Sequence, residues 1–346
     1  MNQARAWLAG AAKDALLAAG HYARRLARRP APALTALMFH RVLPASDRQR
    51  LASFDEYVLT PAQFAAALDV AARLFQPVSL DRVLAHLAGG PALPPRAALL
   101  TFDDGWLDTL EVAAPILQRR GLPAVVFVPP LAIGQSLPFW QERLLLAART
   151  GIADRAALSA LAQGFGLPAT APVEALAGKL TDLPRARRAA LAPALPESED
   201  GTRHMLTAEE LRRLPAMGIA IGAHGLDHEA LTTLDDPAAH LRESRARLAE
   251  LAGQEITAMS FPHGRQSEAI LRHAAAAGFQ ALFSSDSHAT ALPPGPCAAA
   301  VFGRINISPQ RAGRGAIADE LTSRPVRPAA TVAPGVAQPA EALTPG

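Results

Sequence analysis

Short apolar runs alternate along this chain with longer stretches of helical period, and that rhythm predicts the architecture. Apolar runs stand at Leu34–Phe39, Leu99–Phe102, Val125–Val128, Ile219–Ile221, Ala258–Phe261, Ala281–Phe283 and Val301–Ile307, and each reads as a buried strand. Between them, Thr60-Pro61 opens a helix with Thr as N-cap and Pro at the first helical position. Phe64, Leu68, Ala71 and Ala72 give that helix one apolar face. A second helix lies around Leu80–Leu87 and ends at Gly89-Gly90; another, holding Ile116 and Leu117, ends at Gly121. Thr207-Ala208-Glu209-Glu210 fits a capping box and starts a helix running to Met217-Gly218. Residues 236–252 and 267–277 are helices, the second stopped by Gly278. Strands alternating with helices predict a parallel α/β sheet or barrel.

Two regions break the rhythm. Residues 134–206 are rich in Ala, Leu and Arg, of helical character and without a strand candidate, so they read as a helical insertion. Residues 324–346, rich in Pro and Ala, lack periodicity. The expected organisation is a basic amphipathic helix over 1–32, one domain over 33–310 carrying the insertion at about 134–206, and a C-terminal tail over 311–346 without fixed structure.

Composition narrows the function classes. The 346 residues suffice for one large α/β domain with appendages. Formal charge is only +3, Lys occurs only at Lys13 and Lys179, and no basic tract runs through the body of the chain. That excludes a nucleic-acid binder of the usual kind. Cys297 is the only cysteine, so neither an intramolecular disulfide nor a Cys-based zinc site can form. Residues 4–29 are rich in Ala and Leu and carry Arg5, Lys13, Asp14, Arg24, Arg25, Arg28 and Arg29. The charges at 13 and 14 interrupt any secretion-signal core, and no apolar stretch reaches the roughly 18 residues of a spanning helix. This segment is expected either to lie on an anionic membrane surface or to pack on the domain edge. A cytoplasmic location, peripheral to the inner membrane, follows as the expectation.

Candidate chemistry sits at strand ends. Thr101-Phe102-Asp103-Asp104-Gly105-Trp106 closes the run Ala97-Ala98-Leu99-Leu100 with two adjacent carboxylates. Along a strand, neighbours point to opposite faces. Past its end that rule relaxes, and both carboxylates can turn into one cavity at the rim of a sheet. Like charges so close need a cation or a proton between them. His224-Gly225-Leu226-Asp227-His228 then sets two imidazoles at i,i+4, also just after an apolar run. Either motif alone is more often structural or solvated; together, at strand ends, they read as a hydrolytic metal site. Asp104, His224 and His228 would supply three ligands and leave a position for water. The metal would lower that water's pKa and polarise a carbonyl, with Asp103 as general base. His40 and His263 also follow apolar runs, where active sites of parallel barrels collect.

These motifs resemble the polysaccharide deacetylase superfamily, the NodB-homology (carbohydrate esterase family 4) domain. Met38-Phe39-His40-Arg41-Val42, Gly121–Val128, Ser260–Gly264 and Ala277-Gly278-Phe279 extend the likeness over roughly residues 34–310. The resemblance implies an α/β fold, a distorted (β/α) barrel of the NodB type with a helical insertion and flexible termini. It implies a divalent metal, most often zinc, with cobalt, nickel or manganese also accepted by such ligands. It assigns Asp103 as base and Asp104, His224 and His228 as metal ligands, and it gives an oxyanion donor from the backbone N–H of His263, where a Tyr is usual. The implied reaction removes N-acetyl groups from an N-acetylated sugar of a bacterial polysaccharide, envelope glycan or lipid-linked precursor, so the expected partner is a carbohydrate.

Departures from the family pattern are specific. Gly225 replaces a Ser/Thr that would support the first ligand His. Ser260 and Phe261 stand where many members carry an Arg that orients the base. The Leu-x-His motif of the general acid is missing, and Arg304-Ile305-Asn306 follows the last strand instead. The leaving amine still needs a proton; His40 is the first candidate, with His288 and His263 behind it. Arg41 and Arg304 are read as binding substrate hydroxyls or anionic groups, with barrel-end salt bridges as the alternative. The competing functions are an amidase on a small cyclic or linear C–N substrate, allantoinase-like, and a catalytically silent glycan-binding domain.

Overall fold

The computed structural model describes residues 3–29, 32–191, 198, 200–293, 295–311 and 313–333, with backbone only for 3–7. Its centre is a ring of parallel strands: β1 (Ala33–Phe39), β2 (Ala97–Phe102), β3 (Ala124–Val128), β4 (Ile219–Ala223), β5 (Ala258–Ser260), β6 (Ala281–Phe283), β7 (Ala299–Phe302) and β8 (Arg304–Asn306). Each pairs with the next from β1 to β7. The sequence pattern predicts one last strand over Val301–Ile307; the structure breaks it at Gly303. β7 adds to β6, and β8 turns to pair with β1, Ala36 opposite Arg304 and Met38 opposite Asn306. That turn carries the chain back to β1 and leaves the sheet nearly closed into a barrel. A Cβ on Gly303 would lie 2.4 Å from the His288 ring, and its N–H donates to Thr290 Oγ1 at 2.9 Å.

Period-2 alternation divides the strands between two cores. Leu34, Ala36, Leu99, Val125, Phe127, Ala258, Phe283 and Phe302 form an inner cluster, and Leu37, Phe39, Leu100, Phe102, Val126 and Met259 pack outward beneath the helices. Both faces are apolar, which is why these strands read as continuous runs. Two expected caps are present in full: Thr60 with Gln63, and Thr207 with Glu210.

The insertion is helical, with Trp140–Thr150, Arg155–Gly164, Val173–Thr181 and Arg185–Ala189. Among the described residues of this region the only strand-like pairing is a single bridge from Met205 to Trp106.

The termini correct two expectations. The N-terminal segment is two helices, Gln3–Ala18 and His21–Ala27, divided at Gly20. Leu17, Tyr22 and Leu26 bury into the outer core. The expected unstructured tail over 311–346 instead begins with a helix, Arg314–Ser323, and two short strands, Val326–Pro328 and Ala330–Val332. Ile317, Ala318 and Leu321 are buried there. Asp14 accepts from the Gly315 N–H at 2.7 Å, and Lys13 pairs with Asp319 at 2.8 Å. This helix lacks a pronounced apolar stripe of its own; its order comes from the surface the N-terminal helices present, which local periodicity does not report. Residues 334–346 of that expected tail lie outside the described residues. No described helix is long and apolar enough to cross a membrane.

Candidate metal centre and catalytic cleft

Strand alternation aims the site. Leu99 and Thr101 face the barrel interior, and Asp103 continues that face beyond β2, its N–H held by Phe39 O at 3.1 Å. Asp104 would point the other way, but its backbone is left-handed, φ 77°, and turns it back into the mouth. His228 (φ 67°) and His263 (φ 55°) are also left-handed, so three of the four described non-glycine residues with positive φ lie in this one site. Such conformations cost of order 1–3 kcal/mol each and persist where surrounding structure enforces them. Gly225 (φ 67°) is enforced too: a Cβ there would lie 2.9 Å from Pro262, which leaves no room for the family's usual Ser or Thr.

Asp104, His224 and His228 converge. Asp104 Oδ1 lies 3.4 Å from His224 Nε2 and 3.3 Å from His228 Nε2, and the three donor atoms fall within 4.8 Å of one another. Trp106 Nε1 donates to Asp104 Oδ2 at 2.8 Å, while the buried Oδ1 has no hydrogen-bond donor. His224 Nδ1 donates to Ser260 O at 2.9 Å; a carbonyl can only accept, so the lone pair of Nε2 faces the cluster. Burial works against ionisation of Asp104, yet its contacts with His224 and His228 hold it well below the ordinary carboxylate range. Burial likewise pushes His228 down to about 4, which keeps its ring neutral as a ligand must be. An orphaned carboxylate oxygen and two converging imidazoles form a donor set that fits a divalent cation.

Asp103 is held differently. Arg304 Nη1 donates to Oδ1 at 2.6 Å and Nη2 to Oδ2 at 2.8 Å. Burial alone would raise this carboxyl; the charges of Arg304 and His224 outweigh it and hold the group below its usual range. Arg304 is fully buried, and its remaining N–H groups go to Thr101 Oγ1, Ser260 Oγ and Ser284 O. With all five donors engaged, Arg304 has none for a substrate, which corrects its assignment as a substrate-binding residue. Delivered from β8, it instead fixes the plane of the Asp103 carboxylate and reaches the Ser260 hydroxyl at 2.7 Å. An Arg inside the apolar run Val301–Ile307 was the available signal, because a buried guanidinium demands a buried anion.

Arg41 is corrected likewise. It is buried, and its donors go to Asp108, Ser53, Gln49 and His204. Its guanidinium lies 4.3 Å over the Trp106 ring, so it braces the residue that holds Asp104. Asp108 also accepts from the Val42 N–H at 2.7 Å.

The histidine candidates separate by place. His40 lines the cleft, stacks on Tyr57 at 4.2 Å, and puts Nε2 3.9 Å from Asp103 Oδ2. The His263 ring folds onto His228, its Nε2 donating to His228 O at 3.0 Å. His288 packs behind the closing strand against Gly303 and does not line the cleft.

The cleft over the site measures about 280 Å³, lined by His40, Tyr57, Asp103, Asp104, His224 and, from the insertion, Glu142. A second lobe of about 400 Å³ meets it at Gln141 and His228 and runs along Phe139, Trp140 and Arg185. The sequence carried no signal for Glu142 or Trp140, because nothing in the insertion shows which helix reaches the barrel mouth.

The model of the polysaccharide deacetylase family matches residues 90–282. The chain belongs to that family. Among curated relatives, this polysaccharide deacetylase family member is 22% identical over 220 residues to YxkH of Bacillus subtilis (strain 168), a polysaccharide deacetylase by name. That match covers 63% of this chain and 54% of YxkH, so the chain spans about half the length of that relative. Among solved structures, it resembles IcaB from Ammonifex degensii (TM-score 0.54, 20% identity, 84% of this chain and 98% of the other). It also resembles the Streptococcus pyogenes deacetylase PplD in complex with acetate (TM-score 0.54, 16% identity, 82% and 96%). At these identities the likeness confirms the fold, a NodB-type distorted barrel.

Proposed function

We propose that this chain is a metal-dependent hydrolase that removes N-acetyl groups from an N-acetylated sugar of a polysaccharide, envelope glycan or lipid-linked precursor. The observation that carries the reading is the pairing of two differently held carboxylates at one barrel mouth. Asp103 is clamped by Arg304, and Asp104 faces two imidazoles with one oxygen left without a donor. A silent binding domain has no use for both. The two-lobed cleft, with Phe139 and Trp140 along one lobe, suits a chain of sugars better than a small amide.

Asp104, His224 and His228 would hold the cation, and zinc is the ion such a donor set favours. The bound cation would lower the pKa of a water and polarise the acetyl carbonyl. Asp103, kept ionised by Arg304, accepts the proton of the attacking water. The His263 turn, left-handed at its centre, supports an N–H aimed at the developing oxyanion. His40 stands in the cleft as the sequence-derived candidate for the proton donor.

The test is metal content and acetate release on N-acetylglucosamine oligomers for the wild type, Asp104→Ala and Asp103→Asn. Metal lost in Asp104→Ala, and metal kept with activity lost in Asp103→Asn, is the expected result. A wild type that binds no divalent metal overturns the reading. Location is a further proposal: Leu8, 60% exposed, and the exposed Arg24, Arg25 and Arg28 support a peripheral site on an anionic membrane, on the cytoplasmic side. Recovery of the native protein from the periplasm would sink that placement.

A further inference from the structure

Glu142 lies in the first helix of the insertion, Trp140–Thr150, and is only 8% exposed. Its Oε2 is buried without a hydrogen-bond partner, yet the residue lines the cleft beside the catalytic carboxylates. The carboxyl is held by its own backbone N–H, and a buried oxygen left without any partner is expensive to keep. The guanidinium of Arg41 is near enough to influence it but is engaged by Asp108, Ser53 and Gln49. Glu142 also shares with Asp104 and His40 a small chamber of about 20 Å³ that Asp103 does not line.

Resting on the deacetylase reading above, we propose that Glu142 is a catalytic residue that delivers the proton to the departing nitrogen. An acid serving the leaving group must stand apart from the base that takes the water's proton. His40 Nε2, 3.9 Å from Asp103 Oδ2, is on the base's side; Glu142 enters from the insertion. In the step itself, water attacks the acetyl carbon as Asp103 takes one of its protons, forming the C–O bond. The C–N bond of the tetrahedral adduct then breaks, its electron pair stays on nitrogen, and the Glu142 proton joins that nitrogen. The products are the free amine and acetic acid; Glu142 regains a proton from solvent as Asp103 releases one. Burial favours the protonated form of the Glu142 carboxyl, against the hydrogen bond from its own backbone N–H and the charges of Arg41 and Arg143.

Leaving-group chemistry tests this. Wild type, Glu142→Gln, Glu142→Asp and His40→Gln are assayed on N-acetylglucosamine oligomers and on an aryl acetate, whose phenolate departs without a proton. Glu142→Gln is expected to lose about 100-fold or more on the amide but only about 3-fold or less on the ester, as for loss of a general acid. Its metal content and unfolding temperature stay at the wild-type level, and Glu142→Asp, which keeps an acid on a shorter arm, recovers part of the amide activity. Equal loss on both substrates, no loss on the amide, or the amide-only loss appearing in His40→Gln instead overturns the proposal. A wild type that cleaves the ester but no N-acetyl glycan overturns the deacetylase reading first, and this proposal with it.

Discussion

The role proposed for Asp103 requires it to stay ionised while only 2% exposed, and Arg304 is the largest influence that keeps it so. The fork geometry matters as much as the charge, because two parallel N–H donors fix the plane of the carboxylate. Arg304→Lys keeps a cation there and loses the fork. We expect metal content unchanged and kcat lowered about 10- to 100-fold, a loss in keeping with a misaligned general base. The pH dependence follows from the sign. Arg304 lowers the Asp103 pKa, activity needs the ionised form, and activity is lost as pH falls through that pKa. Weakening the pair raises the pKa, so the acid limb of the kcat/KM profile in Arg304→Lys should move to higher pH; a limb that stays in place would show that Arg304 does not tune the base. At this scale the pair Asp103-Asp104 and the His224/His228 spacing were legible, because both motifs sit in contiguous sequence. The partners of Asp103 were not: Arg304 follows it by 201 residues, and only the return of the chain to β1 brings them together.

Elements place these residues through a few backbone positions with no slack. The strands were legible as apolar runs, since burial on both faces leaves no polar register to confuse the pattern. The break at Gly303 was not, because a glycine within an apolar run looks the same in a straight strand as in a kinked one. Yet this kink lets one stretch of chain return to β1 and then present Arg304 to Asp103. Gly303→Ala would place a Cβ 2.4 Å from the His288 ring and 2.6 Å from the Asp286 carbonyl oxygen. The backbone oxygen cannot swing aside as a side-chain end could, so the substitution should destabilise by about 1–3 kcal/mol, as overpacking does. Urea unfolding would measure that loss. Because the kink feeds the base, catalysis should fall in the same variant while metal stays bound; a stable, fully active Gly303→Ala would mean that the return to β1 tolerates another path.

On the scale of the whole molecule, the N-terminal helices and the helix Arg314–Ser323 are one structural unit. The helix Gln3–Ala18 lies against Arg314–Ser323, and Arg29 reaches the carbonyl oxygens of Leu321 and Arg324 at 2.7 and 3.1 Å. Neither helix announces this from its own sequence: the crossing is built on small residues and backbone contact, which carry no periodic signal. Gly315 is the point of closest approach, where a Cβ would meet the Lys13 carbonyl carbon at 2.3 Å. Two effects oppose each other in Gly315→Ala. Helix propensity favours alanine by about 1 kcal/mol, whereas forcing backbones apart costs about 1–3 kcal/mol and also strains the Asp14 bond to the Gly315 N–H. The steric cost outweighs the propensity gain, so we expect a fall of a few degrees in the unfolding temperature. The barrel mouth is formed by other elements, so metal content and acetate release per folded molecule should be unchanged. A rise in unfolding temperature would show that the terminal helices separate freely, and that the ordered C-terminal helix owes its stability to the barrel alone.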